Sequence, residues 1–199
     1  SSGVILRNGL AVNSAGSYTG NNMSSTCSTS GDVQLQAISN ANGNTGSIND
    51  VTYVQFDFTP LTDRFSFNYI FSSNEYGTFQ CGFSDVFAFI LTDLVTGVTT
   101  NLAVVPSTTT PVSVTTIRNN AHNATCASVN PLLFDVYNVG APSSVMNMRG
   151  YTVPLTAFAD VIPNRNYRIK LAIGDYSDTA FDSAVFIEAG SFNVGVADL

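Results

Sequence analysis

Acidic side chains are few in this chain, so the places where they bunch are informative. Ser73-Asn74-Glu75-Tyr76 is followed by Phe83-Ser84-Asp85-Val86, and a second group runs from Gly174-Asp175-Tyr176-Ser177-Asp178 through Thr179-Ala180-Phe181-Asp182-Ser183. Both fall where one predicted strand ends or the next begins. Loops at one end of a β-sandwich converge, so Glu75, Asp85, Asp175, Asp178 and Asp182 are expected to face one another. Left bare, such a cluster repels itself. Calcium relieves it by accepting about six to eight oxygens from carboxylates, amide carbonyls and water. The second group lacks the Gly and terminal Glu of the helical calcium loop, and Asp is favoured in turns in any case, so loop capping is the plain alternative.

Other chemistries find less support. Glu75 and Asp182 could flank a sugar bond as a glycosidase carboxylate pair, which makes a carbohydrate-active enzyme the competing expectation. The one histidine, His122, lies in the polar stretch Asn119-Asn120-Ala121-His122-Asn123 with no acidic neighbour, and no Gly-x-Ser-x-Gly elbow is present. Zinc would want four closely spaced His or Cys ligands. No Gly-rich phosphate loop joins a strand to a helix. Tyr76, Phe79, Tyr176 and Phe181, with Tyr69 and Phe83, flank the acidic loops and are a candidate platform for a peptide or glycan, although core packing claims most such rings.

The elements that must position these residues read as strands. Val54-Gln55-Phe56-Asp57-Phe58 alternates apolar with polar, and Phe65, Phe67, Tyr69 and Phe71 repeat the pattern. The two are expected to form a hairpin across Pro60 to Asp63. Val86-Phe87-Ala88-Phe89-Ile90-Leu91 is apolar on both faces, as in a central strand. Further strands are expected at Val4 to Leu6, Val33 to Ala37, Asn101 to Val105, Val112 to Ile117, Tyr151 to Leu155, Tyr167 to Ile173, Ser183 to Ala189 and Phe192 to Val196, with a short turn near Leu132 to Phe134. No 3.6-residue period stands out. The fold class is therefore all-β, an antiparallel sandwich or jelly-roll-like single domain spanning residues 1–199.

Composition agrees. Only 11% of the 199 residues are charged, Lys170 is the one lysine, and good exposed helix formers are scarce. With a net charge of −7 and scattered basic residues, nucleic acid is not an expected partner. The longest apolar run is far short of the ~18 residues of a membrane span. No basic-then-apolar signal opens the chain, which reads as a piece of something longer. In an exported protein a Cys81–Cys126 disulfide is the economical reading, leaving Cys27 as a free thiol or bound to a partner outside the chain. Three buried, reduced cysteines are the alternative. Asn123-Ala124-Thr125 and Asn22-Met23-Ser24 match the short glycosylation sequon.

Four stretches in order resemble the choice-of-anchor L domain of secreted and surface proteins of Bacteroidota-type bacteria. They are Phe65 to Tyr76, Phe83 to Phe89, Asn101 to Pro106 with its Thr-rich sequel, and Tyr167 to Asp175 continued through Asp182 to Phe192. The resemblance runs from about residue 3 to 193. It implies an extracellular or cell-surface β-sandwich, anchored through regions outside this chain and serving adhesion or surface assembly. It also implies that the chain starts inside the family's domain, an upstream segment supplying a missing strand and a partner for Cys27. Cys81 and Cys126 match a cysteine-bearing subset, which supports pairing them. Asn74 replaces a carboxylate more usual in the family, lowering the charge of any metal site while its side-chain oxygen stays a ligand in the set the resemblance implies. More distantly the module is similar to calcium-dependent peptide-binding domains of bacterial adhesins. The expected function is a non-enzymatic, calcium-stabilised binding module. A filament subunit completed by a neighbour's strand is a further alternative.

Overall fold

The computed structural model describes residues 2–140 and 144–194. Among the described residues ten strands build two antiparallel sheets: β1 Gly3–Arg7, β2 Ile48–Phe58, β3 Arg64–Ser73, β4 Val86–Asp93, β5 Thr99–Asn101, β6 Phe134–Tyr137, β7 Gly150–Thr152, β8 Leu155–Asp160, β9 Tyr167–Tyr176 and β10 Ser183–Glu188. One sheet has the order β1-β10-β3-β7-β6, with β8 pairing β3 beyond β7. The other runs β2-β9-β4-β5. The all-β sandwich expected from the alternation is what forms.

The period-2 pattern of β3 dictates the packing. Phe65, Phe67, Tyr69 and Phe71 point to one face and are buried, while residues between them are only partly covered. They meet Phe87 and Phe89 of β4: Phe67 and Tyr69 each lie 4.8 Å from Phe89, centroid to centroid, and Phe71 stacks on Phe87 at 4.8 Å. Offset and edge-to-face ring pairs add about 0.5–1.5 kcal/mol each beyond the area they bury. This aromatic spine glues the two sheets.

β4 is central, as its continuous apolar run predicts, because both faces are covered. Phe87, Phe89 and Leu91 face the spine; Val86, Ala88 and Ile90 face Leu35, Ile48, Val51 and Ala172. The cover on that outer face is a helix, α1 Val33–Ala41, where the sequence pattern points to a strand. Asp32 decides the matter. Its carboxylate accepts from the backbone N–H of Gln34 and Leu35 at 3.0 Å each, an N-cap that satisfies two otherwise orphaned donors. Lys170 of β9 donates to the same carboxylate, tying the helix to the sheet.

The hairpin expected across Pro60 to Asp63 does not form. β2 pairs with β9 from Ile48↔Tyr176 to Phe58↔Tyr167, whereas β3 pairs with β10, β7 and β8, so the connection crosses from one sheet to the other. Asn101 to Val105 is mostly not strand, and Val112 to Ile117 is not strand; Val104 makes one isolated bridge with Pro111. Leu102, Ala103, Val105, Val112, Val114 and Ile117 are nevertheless buried, plugging the side of the sandwich with irregular chain. The expected turn near Leu132 is a 3₁₀ turn at Pro131–Leu133. Asn193 bridges Ser66 without a strand around it, and Val196 lies outside the described residues.

Candidate functional site

β9 and β4 carry the site because their inner faces continue past the apolar core. Along β9, Ala172 faces α1 and Ile173 faces the spine, so Asp175 falls on the inner side at the strand's end. Val86 pairs with Gly174, which sets Asp85 beside Asp175 at the same rim. β3 ends there too, at Ser73, followed by Asn74 and Glu75, and β10 begins there at Ser183, paired with Ser73. Strand ends from both sheets thus bring the two acidic groups together.

Burial then sorts them. Asp182 is fully buried and saturated. Its Oδ2 accepts from Arg7 Nε at 2.9 Å and Ser25 Oγ at 2.7 Å, and its Oδ1 accepts from the Ser25 backbone at 3.0 Å. Arg7 also donates to the Ser14 hydroxyl, the Met148 sulfur and the Asn22 carbonyl. Asp182 is thereby committed to Arg7 and Ser25, both of its oxygens already accepting hydrogen bonds. Close packing enforces the arrangement: a Cβ on Gly9 would come within 2.0 Å of Asp182 Oδ2. Asn74 is committed as well, donating to the Met23 carbonyl and accepting from the Arg149 backbone at 3.0 Å each.

The remaining carboxylates have no ion-pair partner among the described residues. Asp85 is buried; Asn8 donates to it at 2.8 Å and the Tyr176 backbone at 3.3 Å. Burial nevertheless pushes its pKa up to about 7. Glu75, also buried, accepts from the Asp85 backbone N–H at 2.9 Å and is raised by burial and by the charge of Asp85. Asp175 is the extreme case. It is 0% exposed, and neither of its oxygens accepts a hydrogen bond from any described group. Burial first, then the charges of Asp85, Asp182, Asp50 and Asp178, drive its pKa up to about 10. Asp178 is exposed at the mouth, its carboxylate accepting from the Ala180 backbone.

Asp50, absent from the sequence expectations, belongs to this group. It is buried, its Oδ2 also lacks a partner, and it sits at a bulge in β2 with φ +46°, a left-handed conformation uncommon outside Gly, Asn and Asp. Arg7 and Asn8 were likewise not anticipated. Nothing in local spacing marks them, because Arg7 meets Asp182 175 residues away and Asn8 meets Asp85 77 residues away.

The aromatic platform is redrawn. Tyr76 has no exposed surface and packs edge-on against Phe134 at 4.7 Å, so it cannot present itself to a ligand. Tyr176 is half-buried beside the α1 face, where its hydroxyl accepts from the Gly46 backbone. Phe79 and Phe181 do meet, at 4.5 Å, with Phe83 5.9 Å from Phe79 and 46% exposed. Arg149 lies over the Phe181 ring at 5.4 Å. Phe181 itself has φ +63°, an outlier for a bulky residue, held by the Ser24 hydroxyl accepting its N–H at 2.8 Å.

Glu75 is only 4% exposed and Asp182 is sealed by Arg7, so these two carboxylates do not face each other across accessible space. The expected glycosidase pair is not assembled. His122 stacks on Tyr137 at 4.3 Å, and burial lowers its pKa. The Asn123 side chain donates to the Gly77 carbonyl at 2.9 Å. Cys81 and Cys126 form a disulfide, and Cys27 is a half-buried free thiol. Among the described residues no helix is long and apolar enough to cross a membrane.

Comparisons with curated proteins and with solved structures each returned no match. The model of the choice-of-anchor L domain, by contrast, matches residues 1–193, nearly the whole chain, and the chain belongs to that family.

Proposed function

We propose that this chain is a non-enzymatic binding module serving adhesion or surface assembly, with its acidic, cation-braced rim as the working end. The family is one of surface-associated proteins and is not an enzyme family. The observation that carries the reading is the division of labour at the rim. The acids there are buried or saturated apart from Asp178, while Phe83, with Phe79 and Phe181 behind it, is offered to solvent. Charged groups inside hold two loops in place, and aromatic faces outside meet the ligand, a peptide or a glycan. Rings of this kind supply contact area with little conformational entropy to lose.

Probing glycan and peptide arrays with wild-type protein and with Phe83→Ala tests this directly. Binders that are captured by wild type and lost on Phe83→Ala, at an unchanged melting midpoint, support the aromatic face. Capture that Phe83→Ala leaves untouched refutes it. Turnover of an arrayed glycan that disappears with Glu75→Gln would instead restore the hydrolase reading.

A second reading, a subunit of a surface assembly, rests on β1. This strand pairs β10 on one side and no strand on the other among the described residues. Val4 is 57% and Ile5 40% exposed, beside a groove of about 420 Å³ that they share with Ile70, Pro154 and Phe186. An open apolar edge is a template for another strand. Light scattering that shows only monomer across a wide concentration range would remove this reading.

A further inference from the structure

Two buried carboxylates without partners stand at one end of one sandwich. Leaving a buried polar group unsatisfied costs about 1–3 kcal/mol, and more when it is charged. Asp175 leaves both oxygens unsatisfied and Asp50 leaves one, on adjacent strands β9 and β2, where Asp175 is paired with Asn49. Neither Asp50 nor Asp175 forms an ion pair among the described residues, and Arg7 points its donors at Asp182, Ser14, the Met148 sulfur and the Asn22 carbonyl. Asp50 also sits in a left-handed conformation at a break in the β2 ladder, a local cost that persists where surrounding structure fixes it and that gathers at functional sites.

We infer that Asp50 and Asp175 are the two carboxylate ligands of a calcium ion bound at this end of the sandwich, with backbone carbonyl and water oxygens completing its shell and Asp85 adding negative charge alongside. The inference deepens the reading of a cation-braced rim and rests on it for its purpose, not for its ligands. The donors are all oxygen, with no His or Cys among them, which favours a hard cation. Calcium accepts an irregular shell of about six to eight oxygens, whereas magnesium demands a tight octahedron. Among the described residues no three Asp, Glu, His or Cys groups are already gathered into a cage. A site with two carboxylates and neutral oxygens is consistent with that, and it belongs with weak extracellular calcium sites, with Kd on the order of 10⁻⁴–10⁻³ M. The consequence for the module is mechanical. An ion on Asp50 and Asp175 pins the end of β9, from which the loop carrying Phe181 departs, and the Tyr176 backbone extends that hold to Asp85 and the loop carrying Phe83.

Calorimetric titration of CaCl₂ into chelator-stripped protein, paired with melting curves, tests the site. Wild type should bind one calcium and melt at a higher temperature with it. Asp175→Asn, nearly isosteric, should weaken binding at least tenfold, and Asp50→Asn should do the same. Asp178→Asn, at the exposed mouth, should stay within about twofold. If Asp175→Asn fails to fold, Asp50→Asn decides. Wild type that takes up no calcium at about 10 mM, well above the weak extracellular range, overturns the inference and leaves Asp175 holding a proton. So does full affinity in both Asn variants, or a loss confined to Asp178→Asn, which would move the ion to the exposed loop. Calcium uptake that survives Phe83→Ala while array binding is lost separates this site from the aromatic face. Array binding without calcium uptake sinks the ion alone.

Discussion

Arg7 enters the polar end from the last position of β1, and its pairing with Asp182 is buried on both sides. Removing one member of such a pair leaves a bare charge in a dry place, typically at a cost of about 3–5 kcal/mol. Arg7→Met should therefore lower stability by about that much in urea titrations, while Arg168→Met, whose partner Asp57 is exposed, should change little. The carboxylates without cations predict a pH dependence of opposite sense from ordinary acid denaturation. Asp85 and Asp175 have folded pKa values raised from 3.8 to about 7 and about 10, so the folded chain keeps protons that the unfolded chain has released. Their contribution is fully present below pH 4 and is lost as pH climbs through 7 and toward 10. Metal-free protein should then melt lower at pH 8 than at pH 5, and Asp175→Asn should shrink the difference. Salt-bridged acids such as Asp93, held down to about 2 by the capping N–H groups of Val95 and Thr96 and by Arg165, titrate below this window and do not mask it. At this scale the sequence was half legible. Bunched acids in a poor background could be seen to converge, but the partner that neutralises Asp182 lies 175 residues away, and Asp50 had no spacing to announce it.

Elements are decided by a few local contacts that pattern alone does not weigh. Val33, Leu35 and Ala37 alternate as a strand would, yet Asp32 caps a helix there, and Leu35 and Ser39, four apart, form its buried face. Asp32→Ala removes the cap, worth about 1 kcal/mol, and also takes the carboxylate from Lys170, which is 7% exposed and keeps the Gln34 amide oxygen and the Tyr53 ring. A loss of about 2–4 kcal/mol in chemical denaturation is expected, well beyond a cap alone. Asp32→Asn, which keeps the cap and drops the charge, should fall between. The Cys81–Cys126 bridge acts on a different element, closing a 45-residue loop over the region that plugs the side of the sandwich. On the chain-entropy model, opening it costs about 2–4 kcal/mol, measurable as a lower urea midpoint for the Cys81→Ser, Cys126→Ser double variant. The strands β3, β4 and β9 were legible because each carries a long uninterrupted pattern. Val112 to Ile117 was not, because buried irregular chain has the same apolar composition as a strand without its hydrogen bonds.

At the scale of the molecule, class was readable and connectivity was not. Dense alternating segments separated by turns mean two packed sheets, but which strands pair depends on contacts between distant residues, and the apparent hairpin of β2 and β3 illustrates the gap. Adjacent in sequence, they lie in opposite sheets and meet through side chains: Phe58 lies 4.7 Å from Phe65 across the interior. The topology that replaces the hairpin is strongly non-local. Gly3 pairs with Glu188, Ile48 with Tyr176 and Ser73 with Ser183, so each sheet closes only after most of the chain is available. Loop-closure entropy must be met before such pairings return any stability, which places all-β folds of this kind in the millisecond-to-second range. Stopped-flow refolding of the disulfide-intact chain should accordingly be slow. Phe89→Leu, in the aromatic spine between the sheets, should slow folding, because the inter-sheet contact has to form for either sheet to be buried. Asp175→Asn should leave the refolding rate in chelator nearly unchanged, since a rim carboxylate acts after the spine is in place. A calcium-dependent change confined to the unfolding limb is the companion expectation, because an ion bound only by the finished fold slows its loss and not its formation. Folding that accelerates with calcium would place the rim, not the spine, in the nucleus.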